Sequence, residues 1–451
     1  MNKLGDHIEY VKGFAFKSKD YTETGIPVIR VSNFTDNSID IKDVYHIPKE
    51  RFSEFQKVSL IKDDIVIATV GSWPTNPSSV VGKTIRVPPE ANNTLLNQNA
   101  VRIRSLDKDE QLYFYYVLKD KSFSDYIIST AQGSANQASI TLKSILDYDL
   151  PNIDSKEKRI KIGKTLATYD EKIQLNTQIN QTLEQIAQAL FKSWFVDFDP
   201  VRAKVQVLSD GLSLEQAELA AMQAISGKIP EELTALSQTQ PERYAELAET
   251  AKAFPCEIVE VDGVEVPKGW EVKALDEIAN YQNGLALQKF RPEDDEPFLP
   301  VVKIVQLRQG YADGEEKAKA SIKPECIIDN GDVIFSWSGS LLVDIWCGGK
   351  AALNQHLFKV TSKRYPKWFY YFYTKYHLAE FQRIAYDKAV TMGHIKREHL
   401  SAAKCIVPND KLLANKTLEN ILEKIIFNRL ENFNLQDTRD LLLPKLLNGE
   451  I

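Results

Sequence analysis

Two kinds of hydrophobic pattern alternate along the chain. Residues 1–150 and 263–408 contain short β-branched runs interrupted by Gly, Pro, Asn and Asp, a pattern typical of strands joined by tight loops. In the first of these regions we expect strands at residues 28–31, 64–70 and 100–103, and a helix near residues 111–126. Residues 156–196 and 410–447 carry apolar residues at helical spacing instead, and each predicts one long helix.

Each long helix carries a heptad seam, in which core positions recur at alternating steps of four and three residues. The first seam consists of Ile162, Leu166, Tyr169, Ile173, Asn176, Asn180, Leu183, Ala187, Leu190 and Trp194, and the second of Ala414, Leu418, Ile421, Ile425, Asn428, Asn432, Leu435, Arg439, Leu442 and Leu446. The seams align position for position, apart from Arg439 in place of Ala187. We expect the helices to pair, each on the order of 50–60 Å long at ~1.5 Å per residue.

Paired asparagines lie at the centre of both seams, Asn176 and Asn180 in the first, Asn428 and Asn432 in the second. If the helices pair antiparallel without slip, all four side chains meet at the midpoint. A buried asparagine costs stability but specifies register, because a slip would place amides against leucine. We hypothesise that these residues fix the separation of the two β-rich regions. The alternative is that the amides point to solvent at the edge of the seam.

The two β-rich regions are copies of one unit, because matched blocks recur in the same order. Leu4, Tyr10, Gly13 and Ala15 return at identical spacing as Leu275, Tyr281, Gly284 and Ala286. The other blocks are residues 26–31 and 299–304, 64–67 and 332–335, 71–72 and 339–340, 96–98 and 353–355, and 114–116 and 369–371. Six blocks in one order exclude chance, so the chain is a tandem duplication. We expect an α/β (α+β) fold of two mixed domains separated by a long antiparallel two-helix coiled coil with pseudo-two-fold symmetry.

Composition places the chain among globular proteins with more than one domain, at 43% hydrophobic and 26% charged residues. No stretch approaches the ~20 apolar residues of a membrane span, and the first residues lack the apolar core of a signal peptide. The cysteines are widely spaced and form no CxxC pair (Cys256, Cys326, Cys347 and Cys405). This favours reduced thiols in a cytoplasm over a disulfide framework or a zinc site.

The net charge of −6 suits a DNA-binding protein only if the acidic residues are concentrated away from the DNA. Residues 199–262 hold 5 Lys and Arg against 12 Asp and Glu, which leaves 51 basic and 50 acidic residues for the rest of the chain. We interpret residues 199–262 as an acidic helical linker. The remainder is close to neutral, which permits a basic groove without demonstrating one.

Two divergent mixed domains, each followed by a long and more similar helix, resemble the specificity subunit of type I restriction-modification systems. Three phrases carry the resemblance further: residues 190–200 (LFKSWFVDFDP), 267–270 (PKGW) and 442–449 (LLPKLLNG). The resemblance covers nearly the whole chain, and the acidic segment is the departure from it. It implies target-recognition domains at 1–150 and 263–408, a central helix at 151–198, a linker at 199–262 and a C-terminal helix at 409–451.

The resemblance also implies function and partners. Each recognition domain would read one half of a bipartite site in double-stranded DNA, and the helices would act as spacer and docking surface for two modification subunits. Those subunits would use S-adenosylmethionine to methylate adenine at N6. Restriction and translocase subunits, with ATP and Mg, would join for cleavage. This chain itself would bind no cofactor, contact no membrane and act in the cytoplasm.

A search for catalytic motifs supports a non-catalytic subunit. The chain has no GxxxxGK[ST] phosphate loop, no GxGxxG turn and no HExxH pair. The Asn/Asp-Pro-Pro-aromatic signature of adenine methyltransferases is missing, and residues 75–78 (TNPS) are only a superficial echo. His394 and His399 could lie near each other, but a metal site is the disfavoured interpretation of this pair. The rivals to DNA recognition are a scaffold with two repeated protein-binding faces and an enzyme with a site where domain and helix meet.

Side chains that match base edges should lie on loops at equivalent positions of the two copies. The predicted contacts in the first copy are Arg30, Ser32, Asn33, Ser72, Trp73, Gln98, Gln132, Ser134, Asn136 and Gln137. Those in the second copy are Lys303, Gln306, Arg308, Ser336, Trp337, Ser338, Gln355, His356, Thr391, His394 and Lys396. Lys12, Lys17 and Lys289 are predicted phosphate contacts, which position DNA without specifying its sequence. Residue type changes while position stays fixed, as expected if each copy reads a different half-sequence.

Structural interpretations of the same residues remain open. Residues 97–98 and 354–355 are identical in the two copies, so a shared turn explains them as well as DNA contact does. The Gly-Ser loops are also explained as plain strand connections. The aromatic clusters at 113–116 and 368–373 are predicted to face the core. The loops at 132–137 and 391–396 differ most between the copies and are the preferred candidates for base contact.

Overall fold

The computed structural model describes residues 2–35, 38–73, 80–134, 137–261, 263–387 and 393–451. The chain divides into two compact units, which we call the first unit (Met1–Gln174 with Asn432–Ile451) and the second unit (Leu175–Glu431). Each unit holds one of the β-rich regions and a part of both long helices. In the described residues, no helix is long and apolar enough to cross a membrane.

The first unit begins with a mixed domain. Its strands are β1 (Ile8–Lys12), β2 (Ile26–Ile29), β3 (Tyr45–Ile47), β4 (Ile65–Ala68), β5 (Val70–Gly71), β6 (Thr84–Arg86), β7 (Leu95–Leu96), β8 (Ala100–Ser105), β9 (Gln132–Ser134) and β10 (Gln137–Ser139). Its helices are α1 (Phe52–Phe55), α2 (Gln111–Lys119), α3 (Lys121–Ser129) and α4 (Leu142–Leu146). The strands form sheets of order β1-β8-β4-β6, β3-β2-β7 and β5-β10-β9.

One long helix, α5 (Lys156–Phe195), follows this domain, in agreement with the heptad prediction. The acidic segment then forms α6 (Asp199–Ser209), α7 (Leu214–Ser226), α8 (Pro230–Thr239) and α9 (Pro241–Ala253). The helical interpretation of this segment is confirmed up to residue 253. Beyond it the chain becomes a β-hairpin of β11 (Ile258–Val261) and β12 (Val264–Pro267), because Val, Ile and Glu alternate around a turn at Gly263 with φ 75°.

The second unit contains the second mixed domain. Its further strands are β13 (Glu271–Ala274), β14 (Asn280–Asn283), β15 (Phe298–Val302), β16 (Lys317–Lys319), β17 (Ile327–Ile328), β18 (Val333–Ser336), β19 (Leu342–Ile345), β20 (Ala351–Leu353), β21 (Leu357–Thr361) and β22 (Lys404–Val407). Its helices are α10 (Leu275–Ile278), α11 (Ile304–Gln309), α12 (Lys367–Tyr376), α13 (Leu378–Asp387) and α14 (Arg397–Ala402), followed by α15 (Asp410–Leu413) and α16 (Lys416–Leu447), which continues into the first unit.

The two mixed domains repeat the same strand topology. The sheet β14-β21-β18-β19 has the order and antiparallel pairing of β1-β8-β4-β6, and β16-β15-β20 has those of β3-β2-β7, including the parallel central pair. The tandem duplication is therefore confirmed. One element differs from expectation: the single helix predicted near 111–126 is two helices, because Asp120 is extended and its carboxylate accepts the Ser122 N–H to cap α3.

A close backbone approach explains why both copies keep a glycine at the end of the first strand. A Cβ atom on Gly13 would lie 2.0 Å from the carbonyl oxygen of Asn97, and one on Gly284 would lie 2.3 Å from that of Asn354. The Gly13 N–H donates to Ala100 O (3.0 Å), and the Gly284 N–H donates in the same way to Leu357 O (3.0 Å). These bonds tie the ends of β1 and β14 to the starts of β8 and β21, directly after the Asn-Gln turn that both copies share.

The paired helices run antiparallel within each unit, since residue numbers rise along α5 as they fall along α16. In the second unit the Asn428 amide donates to Asn180 Oδ1 (2.9 Å), and the Asn180 amide donates to Ile425 O (3.1 Å). Asn176 and Asn428 are 1% and 0% exposed, so the solvent-facing alternative does not apply to them. In the first unit the Asn432 amide donates to Ile173 O (3.4 Å). Whether these bonds fix the spacing of the domains stays a prediction.

Charged groups attach each mixed domain to its helix segments. In the first unit, Tyr116 donates to Asp170 (2.6 Å), and Asp170 pairs with Arg439 at 2.5 Å. Burial opposes the charge on Arg439, but the attraction and hydrogen bond of Asp170 outweigh it and raise the Arg439 pKa. Arg439 therefore has a partner that its counterpart Ala187 does not need. In the second unit, Arg429 reaches Asp344 (2.8 Å) and Lys375 reaches Glu184 (2.5 Å).

An aromatic cluster joins α5, the acidic helices and the second mixed domain inside the second unit. The Phe195 ring lies 6.0 Å from Trp270 and 5.4 Å from Trp368, and Trp194 lies 5.5 Å from Phe254. Phe198 adopts a left-handed backbone (φ 58°) that turns the chain from α5 into α6 while its own ring packs on Trp270 (5.8 Å). Residues 190–200 and 267–270 are thus two parts of one core. The acidic segment is a packed module rather than an open linker.

We predict that Gly13→Ala lowers the free energy of unfolding by about 3 kcal/mol, because the added methyl group overlaps a backbone carbonyl that cannot move aside. Urea unfolding followed by circular dichroism measures this loss. The matched control is Gly227→Ala, at a site with φ 67° and no atom within 4 Å of the new Cβ; backbone strain alone should cost it about 1 kcal/mol. Equal losses in the two variants would contradict the close-approach explanation.

Candidate nucleic-acid interface

Three loops meet around the Asn-Gln turn in the first mixed domain. The Thr69 N–H donates to Asn99 O (2.8 Å), which places the Gly-Ser loop against the turn. The late loop pairs with the Gly-Ser loop, since β10 is antiparallel to β5 with Ala138 opposite Gly71. The Trp73 indole adds a bond to the carbonyl oxygen of Ser134 (2.8 Å). We call these segments, residues 70–73, 97–99, 132–134 and 137–139, the first three-loop face.

The second mixed domain brings the equivalent loops together. The Trp337 N–H donates to His356 O (3.4 Å), the Gly339 N–H to Gly393 O (2.9 Å), and the Ile395 N–H to Trp337 O (3.0 Å). We call residues 337–341, 354–356 and 393–396 the second three-loop face. The late loops that differ most between the copies therefore lie on the same scaffold in both, which the sequence could suggest only from their order along the chain.

The side chains of the second face are close enough to act together. Ser338 Oγ and His356 Nδ1 are hydrogen bonded at 2.9 Å, and Gln355 Nε2 lies 3.3 Å from His356 Nε2. The Trp337 ring lies 5.9 Å from the His356 ring and 6.4 Å from the His394 ring. Both faces thus combine amide, hydroxyl and aromatic groups on backbone that neighbouring loops hold in place. Such groups can bind polar ligands.

The predicted DNA contacts differ in exposure. The exposed side chains are Lys12, Lys17, Ser32, Gln98, Gln132, Ser134, Gln137, Lys289, Arg308, His394 and Lys396. The half-buried side chains are Arg30, Trp73, Lys303, Gln306, Trp337, Gln355 and His356. Asn136 and Thr391 lie outside the described residues. The three lysines predicted to contact phosphate are all exposed and form no ion pair with another described residue, so their ammonium groups are available to a polyanion.

Four predicted contacts need correction, because Asn33, Ser72, Ser336 and Ser338 are buried. The side chain of Asn33 accepts the Arg30 N–H (3.0 Å) and donates to Asp43 O (3.2 Å), and Ser336 Oγ donates to Ser338 O (3.1 Å). Their polar groups are satisfied within the fold and hold the loops in place. Local capping of this kind is common for Asn and Ser, but a single sequence does not distinguish it from base contact.

Two further predicted contacts are engaged on the surface. Lys303 pairs with Glu316, and Gln306 divides its amide between the Lys303 N–H (3.2 Å) and Asp313 (2.7 Å). The carbonyl of Gln306 thereby caps the start of α11, and its hydrogen bond to Asp313 lowers the pKa of that carboxyl group. Gln306 therefore serves the local fold, and Lys303 has a neutralising partner.

Sequence reasoning missed an aromatic group beside the first face. Tyr45 is 47% exposed, and its ring lies under the Arg30 guanidinium at 4.2 Å and stacks on Tyr21 at 4.6 Å. Tyr21 is hydrogen bonded to the side chain of Asn97, and burial raises its pKa. The sequence offers no signal for Tyr45, because the pairing of its strand with residues 26–29 is a tertiary property. The aromatic clusters at 113–116 and 368–373, in contrast, are buried as predicted.

The described residues contain no group of three or more His, Cys, Asp and Glu side chains that could hold a metal ion. His394 and His399, which the sequence left as a weak possibility, have other contacts. The His399 ring nitrogen Nδ1 accepts the Lys396 N–H at 2.9 Å and thereby caps α14. The chemistry of both faces is therefore hydrogen bonding, stacking and charge.

Comparison with known proteins identifies relatives along most of the chain. The family model described as "Type I restriction modification DNA specificity domain" matches residues 1–185 and 267–438, one segment per copy of the repeat. The specificity subunit of the type I restriction enzyme HindI from Haemophilus influenzae is 42% identical over 355 residues, covering 75% of this chain and 77% of that protein. The MjaIX specificity subunit of Methanocaldococcus jannaschii is 25% identical, covering 75% and 68%.

A solved structure shows the same fold at low sequence identity. The crystal structure of a type I restriction-modification S subunit from M. genitalium matches with a TM-score of 0.52 and 15% identity. The match covers 99% of this chain and 95% of that protein. It establishes a likeness of architecture, while the family itself is shown by the sequence matches.

We predict that Trp73→Phe lowers stability by about 1 kcal/mol, because it removes the indole donor that holds Ser134. Amide hydrogen exchange at residues 132–134 should become faster. The matched control is Trp337→Phe: the Trp337 indole N–H is buried without a hydrogen-bond partner among the described residues, so its removal should be neutral or slightly stabilising. Unchanged exchange at residues 132–134 in Trp73→Phe would contradict this assignment.

Proposed function

The chain belongs to the family of type I restriction-modification DNA specificity subunits, and we propose that each of its mixed domains reads one half of a split DNA sequence. The observation that carries the proposal is the pair of three-loop faces. Their backbone bonds are equivalent in the two copies, while the side chains at the same positions differ. Trp73 and Asn99 of the first copy correspond to Leu341 and His356 of the second. A shared scaffold with different polar groups is what recognition of two unlike half-sequences requires.

We propose methyltransferase and restriction subunits as the protein partners, with two modification subunits on one specificity chain. In this arrangement S-adenosylmethionine is bound by the methyltransferase, and ATP and Mg by the restriction subunit, and this chain supplies recognition in the cytoplasm. The exposed lysines near the faces support DNA as the other partner, because they supply phosphate contacts without sequence preference. The excess of acidic residues is confined along the sequence to residues 199–262, and the rest of the chain is close to neutral.

The test is a genome-wide map of N6-methyladenine in cells with this chain present or deleted, beside its neighbouring methyltransferase. Deletion should abolish methylation at one split motif, which would reveal both half-sequences together. The control is expression and activity of the methyltransferase in both strains. An unchanged map with an active methyltransferase would contradict DNA recognition and favour a scaffold with two repeated protein-binding faces.

The seam asparagines give a second prediction. Replacing Asn176, Asn180, Asn428 and Asn432 together by Leu should change or broaden the number of base pairs between the two methylated half-sequences, because an all-apolar seam no longer specifies one register. The same methylation map measures that number. The control is Asn434→Leu, at an exposed position of α16 outside the seam. An unchanged spacing in the fourfold variant would refute the register hypothesis.

A further inference from the structure

An arginine in the first mixed domain is stacked on an aromatic ring and has no carboxylate partner. The Arg30 guanidinium lies 4.2 Å from the centre of the Tyr45 ring, and no described residue forms an ion pair with it. Its Nε atom is buried and has no hydrogen-bond partner in the part of the chain that the structure describes. The guanidinium therefore carries donors that the fold does not satisfy, while stacking restricts its orientation.

The equivalent position of the second mixed domain is neutralised. The matched strands align Arg30 with Lys303, and the residue opposite in the neighbouring strand is Tyr45 in the first copy and Glu316 in the second. The register supports this alignment: Tyr45 is paired with Val28, and the carbonyl oxygen of Glu316 accepts the N–H of Val301, the counterpart of Val28. Lys303 forms an ion pair with Glu316. The duplication thus keeps a cation at one site and changes its partner.

A second arginine in the same domain, Arg51, also lies over an aromatic ring and provides a comparison for Arg30. Arg51 lies 5.0 Å from the Phe55 ring, and its other atoms pair with Asp20 (3.0 Å) and Glu54 (2.9 Å). Both arginines lie over rings, yet only Arg51 is satisfied by carboxylates. The buried Nε atom of Arg102 also has no hydrogen-bond partner among the described residues, but Nη1 of Arg102 donates to Lys57 O (3.2 Å) and Ser59 O (2.7 Å). Neither Arg51 nor Arg102 has the arrangement of Arg30, whose guanidinium is stacked on a ring and bonded to neither a carboxylate nor a backbone carbonyl of the described residues.

Arg30 lies next to the first three-loop face. The preceding residue, Ile29, accepts the N–H of Asn97 (2.9 Å) at the start of the Asn-Gln turn. Tyr21, which stacks on Tyr45 at 4.6 Å, is hydrogen bonded to the Asn97 side chain. The arginine, its supporting ring and the turn are consequently one connected unit. A ligand held on the three-loop face would be adjacent to the guanidinium.

We propose that Arg30, held over Tyr45, reads a guanine in the half-sequence bound by the first domain, and that Lys303 has no such role in the second. This rests on the proposed function and adds a base to it. A planar guanidinium that offers parallel N–H donors matches the O6 and N7 acceptors of guanine in the major groove. A lysine already paired with a carboxylate cannot make that bidentate contact.

The experiment uses the full chain assembled with its methyltransferase, after the wild-type split motif is known. Methylation rates are measured on duplexes in which each G·C pair of the motif is replaced in turn. Arg30→Ala should reduce methylation of the native site by about 5- to 150-fold and remove discrimination at one G·C pair only. Arg30→Lys should lose part of that discrimination as well, because a flexible ammonium group lacks the rigid planar fork that the guanidinium presents when it is stacked on the Tyr45 ring.

Two further substitutions separate the stacked presentation from general damage. Tyr45→Ala should weaken discrimination at the same G·C pair as Arg30→Ala. Tyr45→Phe should retain wild-type discrimination, because the aromatic ring under the guanidinium is kept. Arg51→Ala is the matched control and should leave the recognised sequence unchanged, although it removes an arginine over an aromatic ring in the same domain. A preserved melting temperature in each variant shows that folding is intact.

The remaining outcomes are decisive as well. In Arg30→Ala, methylation could fall by the same factor on every duplex while its dependence on salt concentration becomes weaker by about one phosphate contact. That result would overturn the proposal and assign Arg30 to a phosphate contact. Unchanged discrimination in Arg30→Ala would overturn it outright. Both results presuppose a wild-type split motif, so they are distinct from failure of the proposed function, in which no motif exists.

Glu316→Gln removes the carboxylate that is paired with Lys303 and should make methylation more dependent on salt concentration. An unchanged salt dependence would overturn the conclusion that Glu316 neutralises Lys303.

Discussion

The approach of a glycine backbone to an asparagine carbonyl is the contact on which both mixed domains depend. Gly13 and Gly284 let the first strand cross directly beside Asn97 and Asn354, where any side chain would overlap the carbonyl. The Asn-Gln turn is in turn bonded to the central strand of the small sheet, through Ile29 in the first copy and Val302 in the second. One steric constraint therefore places the strand, the turn and the loops that carry the polar groups.

The two long helices bury polar side chains within an otherwise apolar seam. Asn176 and Asn428 are buried, and the amides of Asn180 and Asn428 are bonded to each other. Arg439 adds a buried charge whose desolvation is offset by Asp170 and Tyr116 in its own unit. The amide nitrogens of Asn180, Asn428 and Asn432 and the charge of Arg439 have specific partners across the seam. Apolar burial supplies stability, while these polar contacts discriminate between registers.

The duplication made most of the fold predictable from the sequence. Matched blocks predicted equivalent strands, and heptad spacing predicted the first long helix to within one residue. The second helix was predicted from residue 410 but begins at Lys416, because Asp410–Leu413 forms a separate short helix that ends at Ala414. The candidate site was harder to predict. Asn33 and Ser336 have the residue types of base contacts, but their side chains are buried and hydrogen bonded within the fold. The roles of Tyr45 and Glu316 could not be assigned, because they depend on the strand register that brings each side chain beside Arg30 or Lys303. Register between distant strands is a tertiary property that composition and local pattern do not specify.

The tryptophans are distributed so that the protein carries an optical reporter in each recognition domain. Trp194, Trp270, Trp346 and Trp368 are buried in cores, whereas Trp73 and Trp337 are half-buried in the loops of the two faces. Buried indoles emit at shorter wavelength and are shielded from quenchers in water. The quenchable, long-wavelength part of the intrinsic fluorescence therefore comes from the two faces, one residue in each, and occupation of either face can be followed without an attached dye.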